Sequence, residues 1–89
     1  MASIKIPTPL RQYTGSNAEI AVSGATVGDA LHDLTTQYPA LRPHLYDGGE
    51  LRSFVNVFIG DEDIRFLQEL ETPLEESDRL RIIPAIAGG

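Results

Sequence analysis

Cysteine is absent from this chain of 89 residues. Without a thiol there is no disulfide, no thiolate metal site, no nucleophilic cysteine and no cysteine persulfide. A fold of this length with no covalent staple must rest on its apolar core. Histidine is almost as scarce, with only His32 and His44, whereas a zinc site takes three or four ligands. His32 falls on the polar side of a predicted helix and His44 in a loop, and neither points to a metal. Lysine occurs once, at Lys5, and no basic cluster exists that would displace counterions from a nucleic acid. No apolar run approaches the ~20 residues of a membrane helix. The opening MASIKIPTPL lacks the basic end and long apolar centre of a secretion signal. The expectation is a cytoplasmic protein with no nucleic-acid or membrane partner. Repeats, linkers and low-complexity stretches are also missing, and there is room for one core. That predicts a single domain over 1–89 with a flexible Gly-Gly tail at about 85–89.

Catalytic constellations are missing too. Asp61, Glu62 and Asp63 are adjacent, whereas a calcium loop alternates its ligands across about a dozen residues. They read as a solvated turn, and Glu75 and Glu76 read likewise. Gly48-Gly49 lacks the spacing and the lysine of a phosphate-cradling loop. No Ser, His and Asp combination suggests itself. The chain is expected not to be an enzyme, to have no metal site and to bind no cofactor of its own.

What is present is an ordinary globular composition, 42% hydrophobic and 22% charged. Thirteen acidic residues against seven basic ones give a net charge of −6. Such a chain is suited to a basic protein surface, or simply to staying in solution. In SIKIPTPL, Ile4, Ile6 and Leu10 share one parity, predicting a strand whose proline side cannot pair. AEIAVS, with Ile20 and Val22 on one face, follows a polar turn and completes an antiparallel hairpin. Val27, Ala30, Leu31, Leu34 and Tyr38 make one helical stripe. Thr26 is placed to cap that helix, with Asp29 three residues on, and Pro39 ends it. Gly28 would let the helix sit close to the sheet. LRPHLYDGGE reads as irregular, with a helical turn near Leu41 and Leu45. RSFVNVFIG alternates: Val55, Val57 and Ile59 on one face, Phe54, Asn56 and Phe58 on the other. DED makes a turn, DIRFL a short strand, and QELETPLEES a loop anchored by Leu70 and Leu74. RLRIIPAI closes as a strand with Leu80 and Ile82 opposite Arg81 and Ile83. One helix over one face of a mixed sheet of four to five strands is the two-layer α+β solution, and this element order is that of a β-grasp.

Two features have no role in the core. Phe54 and Phe58, joined by Ile83 and rimmed by Arg81, occupy the sheet face turned away from the helix. An apolar patch there suggests docking, unless the segments 40–50 and 67–77 fold over it. The second feature is the closing Gly88-Gly89. A chance Gly-Gly at a given pair of positions comes up about once in 200. Backbone without side chains can enter a channel too narrow for any Cβ, and what it would deliver is the Gly89 carboxylate. A carboxylate is a poor electrophile, so it would need activation, most economically by adenylation.

AIAGG, the strand order and the element sizes resemble the ThiS/MoaD sulfur-carrier family, ubiquitin-like proteins with the β-grasp fold. Within it, RSFVNVFIGDEDIRFL and IIPAIAGG are similar to the actinobacterial carriers that supply sulfur for cysteine biosynthesis. Molybdopterin carriers often show a second proline where this chain has Ala85. The resemblance implies a cycle. An adenylating enzyme related to the ubiquitin activators, using ATP and magnesium, converts the Gly89 carboxylate to an acyl-adenylate. Sulfide or a persulfide donor then leaves a thiocarboxylate. An acceptor takes the sulfur: a pyridoxal-phosphate cysteine synthase, with a metalloprotease to release the product, or the large subunit of molybdopterin synthase. Gly88 supplies the slim approach, and Phe54, Phe58, Arg81, Ile83, Ala85 and Ile86 are the candidate docking residues. Other readings are a thiazole-pathway carrier, a ubiquitin-like modifier joined through Gly89 to lysines of other proteins, and a non-covalent interaction domain.

Overall fold

The computed structural model describes residues 2–52 and 54–84. Strand β1 (Ala2–Lys5) pairs antiparallel with β2 (Glu19–Val22), as the alternation of Ile4, Ile20 and Val22 predicts. The first strand is shorter than expected. After Lys5 the chain turns into a 3-10 helix at Thr8–Tyr13, and Leu10 reaches the core from there. Pro7 and Pro9 explain this: each lacks a ladder N–H and fixes φ at a value the tight helix accepts.

Helix α1 (Val27–Gln37) starts where Thr26 Oγ1 accepts the Asp29 N–H at 3.2 Å. Its first N–H donates to the Thr72 carbonyl at 3.0 Å. It stops one residue before Tyr38, which precedes Pro39. Val27, Ala30, Leu31 and Leu34 are buried, as the stripe requires. Gly28 does bring the helix close to a neighbour, but that neighbour is not the sheet. A Cβ there would stand 3.0 Å from the Leu70 carbonyl oxygen.

The stretch after α1 is more ordered than its sequence suggests. A 3-10 turn (Pro39–Leu41) leads into the one-turn helix α2 (Arg42–Leu45), which bury Leu41 and Leu45. His44 therefore lies in a helical turn rather than a loop. A two-stranded hairpin follows, β3 (Tyr46–Asp47) against β4 (Glu50–Leu51). Its turn is Gly48-Gly49, with φ 62° and 91°. A two-residue hairpin turn that needs positive φ at both positions selects glycine twice.

Strand β5 (Val55–Ile59) pairs with β6 (Glu62–Asp63) through a turn at Gly60-Asp61. Of the acidic triplet, Asp61 is thus in the turn and Glu62 and Asp63 are in the strand, and Ile64–Phe66, expected as a strand, is a 3-10 turn. Asp63 causes it: its Oδ1 accepts the Arg65 N–H at 2.9 Å and curls the chain before a ladder can extend. A second short turn at Glu69–Glu71 seats Leu70 and Leu74 against the core. Strand β7 (Arg79–Pro84) runs between β1, to which it is parallel, and β5, to which it is antiparallel. The sheet order is β2-β1-β7-β5-β6. Ile4, Ile6, Leu31, Leu34, Leu80 and Val57 are fully buried between sheet and helix. Burying a side chain of this size contributes roughly 1.5–3 kcal/mol.

Candidate docking face and tail root

Residues directly opposite on neighbouring strands share a face, so the register identifies the surface turned away from α1. One row crosses all five strands: Glu19, Lys5, Arg81, Phe58 and Asp63. Ile83 and Asn56 form the next row toward the end of β7. Phe58, Arg81 and Ile83 are therefore brought together as predicted. Phe58 is half-buried, and Ile83 is 41% exposed.

Arg81 stands on the central strand, opposite Phe58, rather than at the rim of the patch, and it holds this cluster. Its Nη2 donates to the Gly60 carbonyl at 2.9 Å and lies 3.6 Å from Asp61 Oδ1. Its guanidinium carbon stands 5.5 Å from the centroid of the Phe58 ring. The cation–π contact and the carbonyl bond orient the side chain, while the exposed Asp61 adds little, since water screens it. Lys5 stands beside Arg81 on β1, and Arg79 is one row away. The central strands of this face are consequently basic. The acid excess lies elsewhere: residues 61–78 hold eight carboxylates and one arginine.

Phe54, 38% exposed, stands just before β5 and lines a shallow groove with Pro9, Leu10, His44 and Pro84. It belongs to the mouth from which the chain leaves β7 rather than to the middle of the face. The segments 40–50 and 67–77 leave Phe54 and Ile83 exposed. Ala85, Ile86, Gly88 and Gly89 lie outside the described residues.

The two histidines are apart. His32 is exposed on α1, and the His44 ring stacks on Tyr13 at 4.3 Å. Among the described residues, no group of three or more His, Cys, Asp or Glu side chains is placed to hold a metal ion. No helix among them is long and apolar enough to cross a membrane. Burial raises the Tyr46 phenol above its ordinary value, partly offset by Arg42, whose guanidinium stands 5.2 Å from the ring.

One surface feature escapes the sequence pattern. Phe66 is 86% exposed and Leu67 39% exposed. As part of a strand, Phe66 would share the buried side of Ile64. The signal that it does not is Asp63, a residue whose carboxylate caps the turn.

Comparison with known proteins agrees with this architecture. The sulfur carrier protein CysO of Mycobacterium tuberculosis H37Rv is 39% identical over 90 residues, covering 98% of this chain and 97% of that protein. The CysO of Amycolatopsis orientalis, solved in a BexX/CysO complex, superposes with a TM-score of 0.91 at 36% identity, covering all of both chains. Small archaeal modifier protein 1 of Methanosarcina acetivorans superposes with a TM-score of 0.89 at 35% identity, covering 99% of this chain and 95% of that one. Residues 4–89 match the ThiS family, and with its ubiquitin-like β-grasp the chain belongs to that family.

Proposed function

We propose that this chain is a sulfur carrier, a protein substrate rather than a catalyst, serving cysteine biosynthesis. The observation that carries the proposal is the 39% identity to a CysO sulfur carrier over nearly the whole chain. The geometry supports it. Strand β7 carries Arg81 and Ile83 on the outer face and leads at Pro84 into the five residues that close with Gly88-Gly89. A partner that grips this face is within a few residues of the reacting group.

In this reading an adenylating enzyme of the ubiquitin-activating type docks on Phe58, Arg81 and Ile83, with Phe54, Ala85 and Ile86 at the entrance to its channel. The Gly89 carboxylate attacks the α-phosphorus of magnesium-bound ATP, releasing pyrophosphate and leaving an acyl-adenylate. Hydrosulfide then displaces AMP, and the chain ends in a thiocarboxylate. The sulfur attacks an activated serine derivative held by a pyridoxal-phosphate synthase and displaces its leaving group. The resulting thioester rearranges to an amide, and hydrolysis by a metalloprotease returns the free carboxylate with cysteine. The absence of cysteine suits this cycle, because a thiol in the chain would compete for the same electrophiles. In this reading the cycle runs in the cytoplasm, where the ATP it consumes is supplied.

Intact-mass measurement of the natively purified protein, kept reduced, tests the proposal. A species heavier by the difference between sulfur and oxygen, with fragmentation assigning it to Gly89, is expected. A species heavier by one cysteine residue identifies the pathway. If ATP and the purified adenylating enzyme yield no adenylate, and Gly89 is dispensable, the carrier reading is wrong. The likeness to an archaeal modifier protein favours one second reading, conjugation of Gly89 to lysines of other proteins. That would appear in the same experiment as Gly89 joined to a lysine amine.

A further inference from the structure

Strand β7 ends at Pro84 between two grooves, and Ile82 and Pro84 line both of them. The first runs along the β1 side, where the chain continues from Ile6 through Pro7 and Thr8 to Arg11. The second lies on the β5 side, with Arg52, Phe54 and Val55; Val55 is the register partner of Pro84. Each neighbour of β7 thus brings an arginine to the point where the tail begins.

The charge of these grooves is opposite to that of the chain. Lys5, Arg11, Arg52 and Arg81 line them, four of the seven basic residues in a protein of net charge −6. Among the described residues, no acidic side chain lines either one. Carboxylates gather near the other end of β7, beside Arg79. Asp61 follows Gly60, whose N–H donates to the Arg79 carbonyl, and Asp78 accepts the Glu75 N–H at 2.8 Å. The protein is therefore dipolar along β7, positive where the tail leaves.

Local partners decide which of the cations are available. Arg81 is turned toward Asp61, and Lys5 stands opposite Glu19. Arg65 also reaches this end, its Nη2 donating to the Val55 carbonyl at 3.4 Å, and lines with Arg52 a neighbouring groove that holds Glu50 and Glu69 as well. Arg11 and Arg52 are held differently. Arg11 Nε donates to the Ile6 carbonyl at 3.0 Å, and Arg52 Nε donates to the Pro43 carbonyl at 3.0 Å. Among the described residues, neither guanidinium has a carboxylate within ion-pair distance or gives its Nη groups to an acceptor. A guanidinium fixed through Nε keeps a planar fork of Nη donors that matches a carboxylate, and fixing it beforehand reduces the entropy lost on binding.

We propose that Arg11 and Arg52 form a clamp around the root of the tail, and that an enzyme taking the tail presents an aspartate or glutamate to each, on either side of its channel mouth. The inference rests on the carrier reading above, in which Gly89 is delivered into a partner, and names the chemistry of the mouth it enters. The five residues from 85 to 89 span at most about 17 Å when extended. A mouth seated on Arg11 and Arg52 therefore sets how deep the Gly89 carboxyl group reaches. The dipole along β7 orients the approach, tail first, toward such an acidic mouth.

The test uses the full chain, the purified adenylating enzyme and ATP–pyrophosphate exchange. Wild-type protein is assayed first over a series of sodium chloride concentrations; if no exchange occurs at any of them, the carrier reading falls and takes this inference with it. Where exchange occurs, kcat/KM is expected to fall as salt screens the mouth. A kcat/KM that is constant or rises with salt overturns the clamp, leaves the carrier reading standing and needs no variant. In the double variant Arg11→Gln, Arg52→Gln, KM for the chain should rise at least about fivefold with kcat held, and the salt dependence should flatten. Arg42→Gln removes one unit of charge outside both grooves and should leave KM within about twofold of wild type. Arg11→Lys and Arg52→Lys, which keep the charge without the fork, should show a smaller loss than the glutamine variants. A double variant with wild-type KM, or one that loses kcat and its urea midpoint instead, refutes the clamp. So does a wild-type dimer in sedimentation that the double variant abolishes, since the grooves would then hold the acidic surface of a second copy.

Discussion

Replacing Gly28 with alanine sets two effects of known size against each other. Gly28 is the second residue of α1, where alanine is favoured over glycine by at most the roughly 1 kcal/mol of a helix interior, so propensity alone makes Gly28→Ala stabilising. The added Cβ would stand 3.0 Å from the Leu70 carbonyl oxygen and 3.2 Å from Leu70 Cβ, closer than carbon and oxygen rest in a packed interior. Relief requires Leu70 to retreat, and its turn is tied down on both sides. The Val27 N–H donates to Thr72 at 3.0 Å, and the Leu74 N–H donates to Ala25 at 2.9 Å. Thr72 Oγ1 also closes the turn by donating to the Glu69 carbonyl at 2.7 Å. Overpacking against such a neighbour costs about 1–3 kcal/mol, which outweighs the propensity gain and leaves a net loss of about 1 kcal/mol. For a domain of this size that lowers Tm by roughly 4–8 °C. Urea and thermal unfolding of the two proteins measure it directly. A Gly28→Ala protein more stable than wild type by the full propensity increment would show that the Leu70 turn yields, and the reasoning would be wrong.

Thr26→Ala removes the oxygen that caps α1 and should cost about 1 kcal/mol, read from the same urea curves; an unchanged midpoint would show that the cap contributes nothing. Phe58→Ala takes away the ring beneath Arg81 on the outer face. Its adenylation rate should fall several-fold while far-UV circular dichroism stays that of the wild type, and an unchanged rate refutes docking through this face. Tyr46 ionises at higher pH in the folded chain than in the unfolded one, because burial disfavours the phenolate. The unfolded chain then releases its proton first, so this contribution to stability is complete below pH ~10 and is lost as pH rises through the folded pKa. Tyr46→Phe should flatten that alkaline decline in pH-dependent urea unfolding, and an identical decline in both proteins would refute the assignment.

Where apolar periodicity and strong end signals coincide, the amino-acid pattern is enough to place an element. Val27, Leu31 and Leu34 with Thr26 and Pro39 define α1, and the alternation through Val55 and Val57 and through Leu80 and Ile82 defines the central strands. That Phe58 and Arg81 share a face follows from parity, whereas their direct pairing across β5 and β7 depends on a register that parity does not give. Failures occur where a single polar side chain or a proline outweighs the pattern. Pro7 and Pro9 convert the end of an expected strand into a 3-10 helix, and the Asp63 carboxylate does the same to Ile64–Phe66. That second conversion turns Phe66 outward, so the surface with the most exposed ring was hidden behind a plausible strand. The hairpin across Gly48-Gly49 leaves no signal in the pattern, because two-residue strands are too short to show a period. The neighbour of Gly28 was also beyond reach of periodicity, since Leu70 approaches α1 through irregular backbone whose path is set by long-range hydrogen bonds.

The placement of β7 between β1 and β5 has a consequence for synthesis and quality control. Ile4 finds its parallel partner in Leu80, almost the whole chain away, and β1 and β5 have no common neighbour until that strand arrives. Contacts this distant in sequence form late and slowly. A nascent or truncated chain that lacks β7 leaves the inner edges of both halves of the sheet unpaired and the apolar core open to chaperones and proteases. The strand that closes the sheet also carries Arg81 and Ile83 and leads toward the glycines, so any protein that grips this face meets a chain whose folding is already finished.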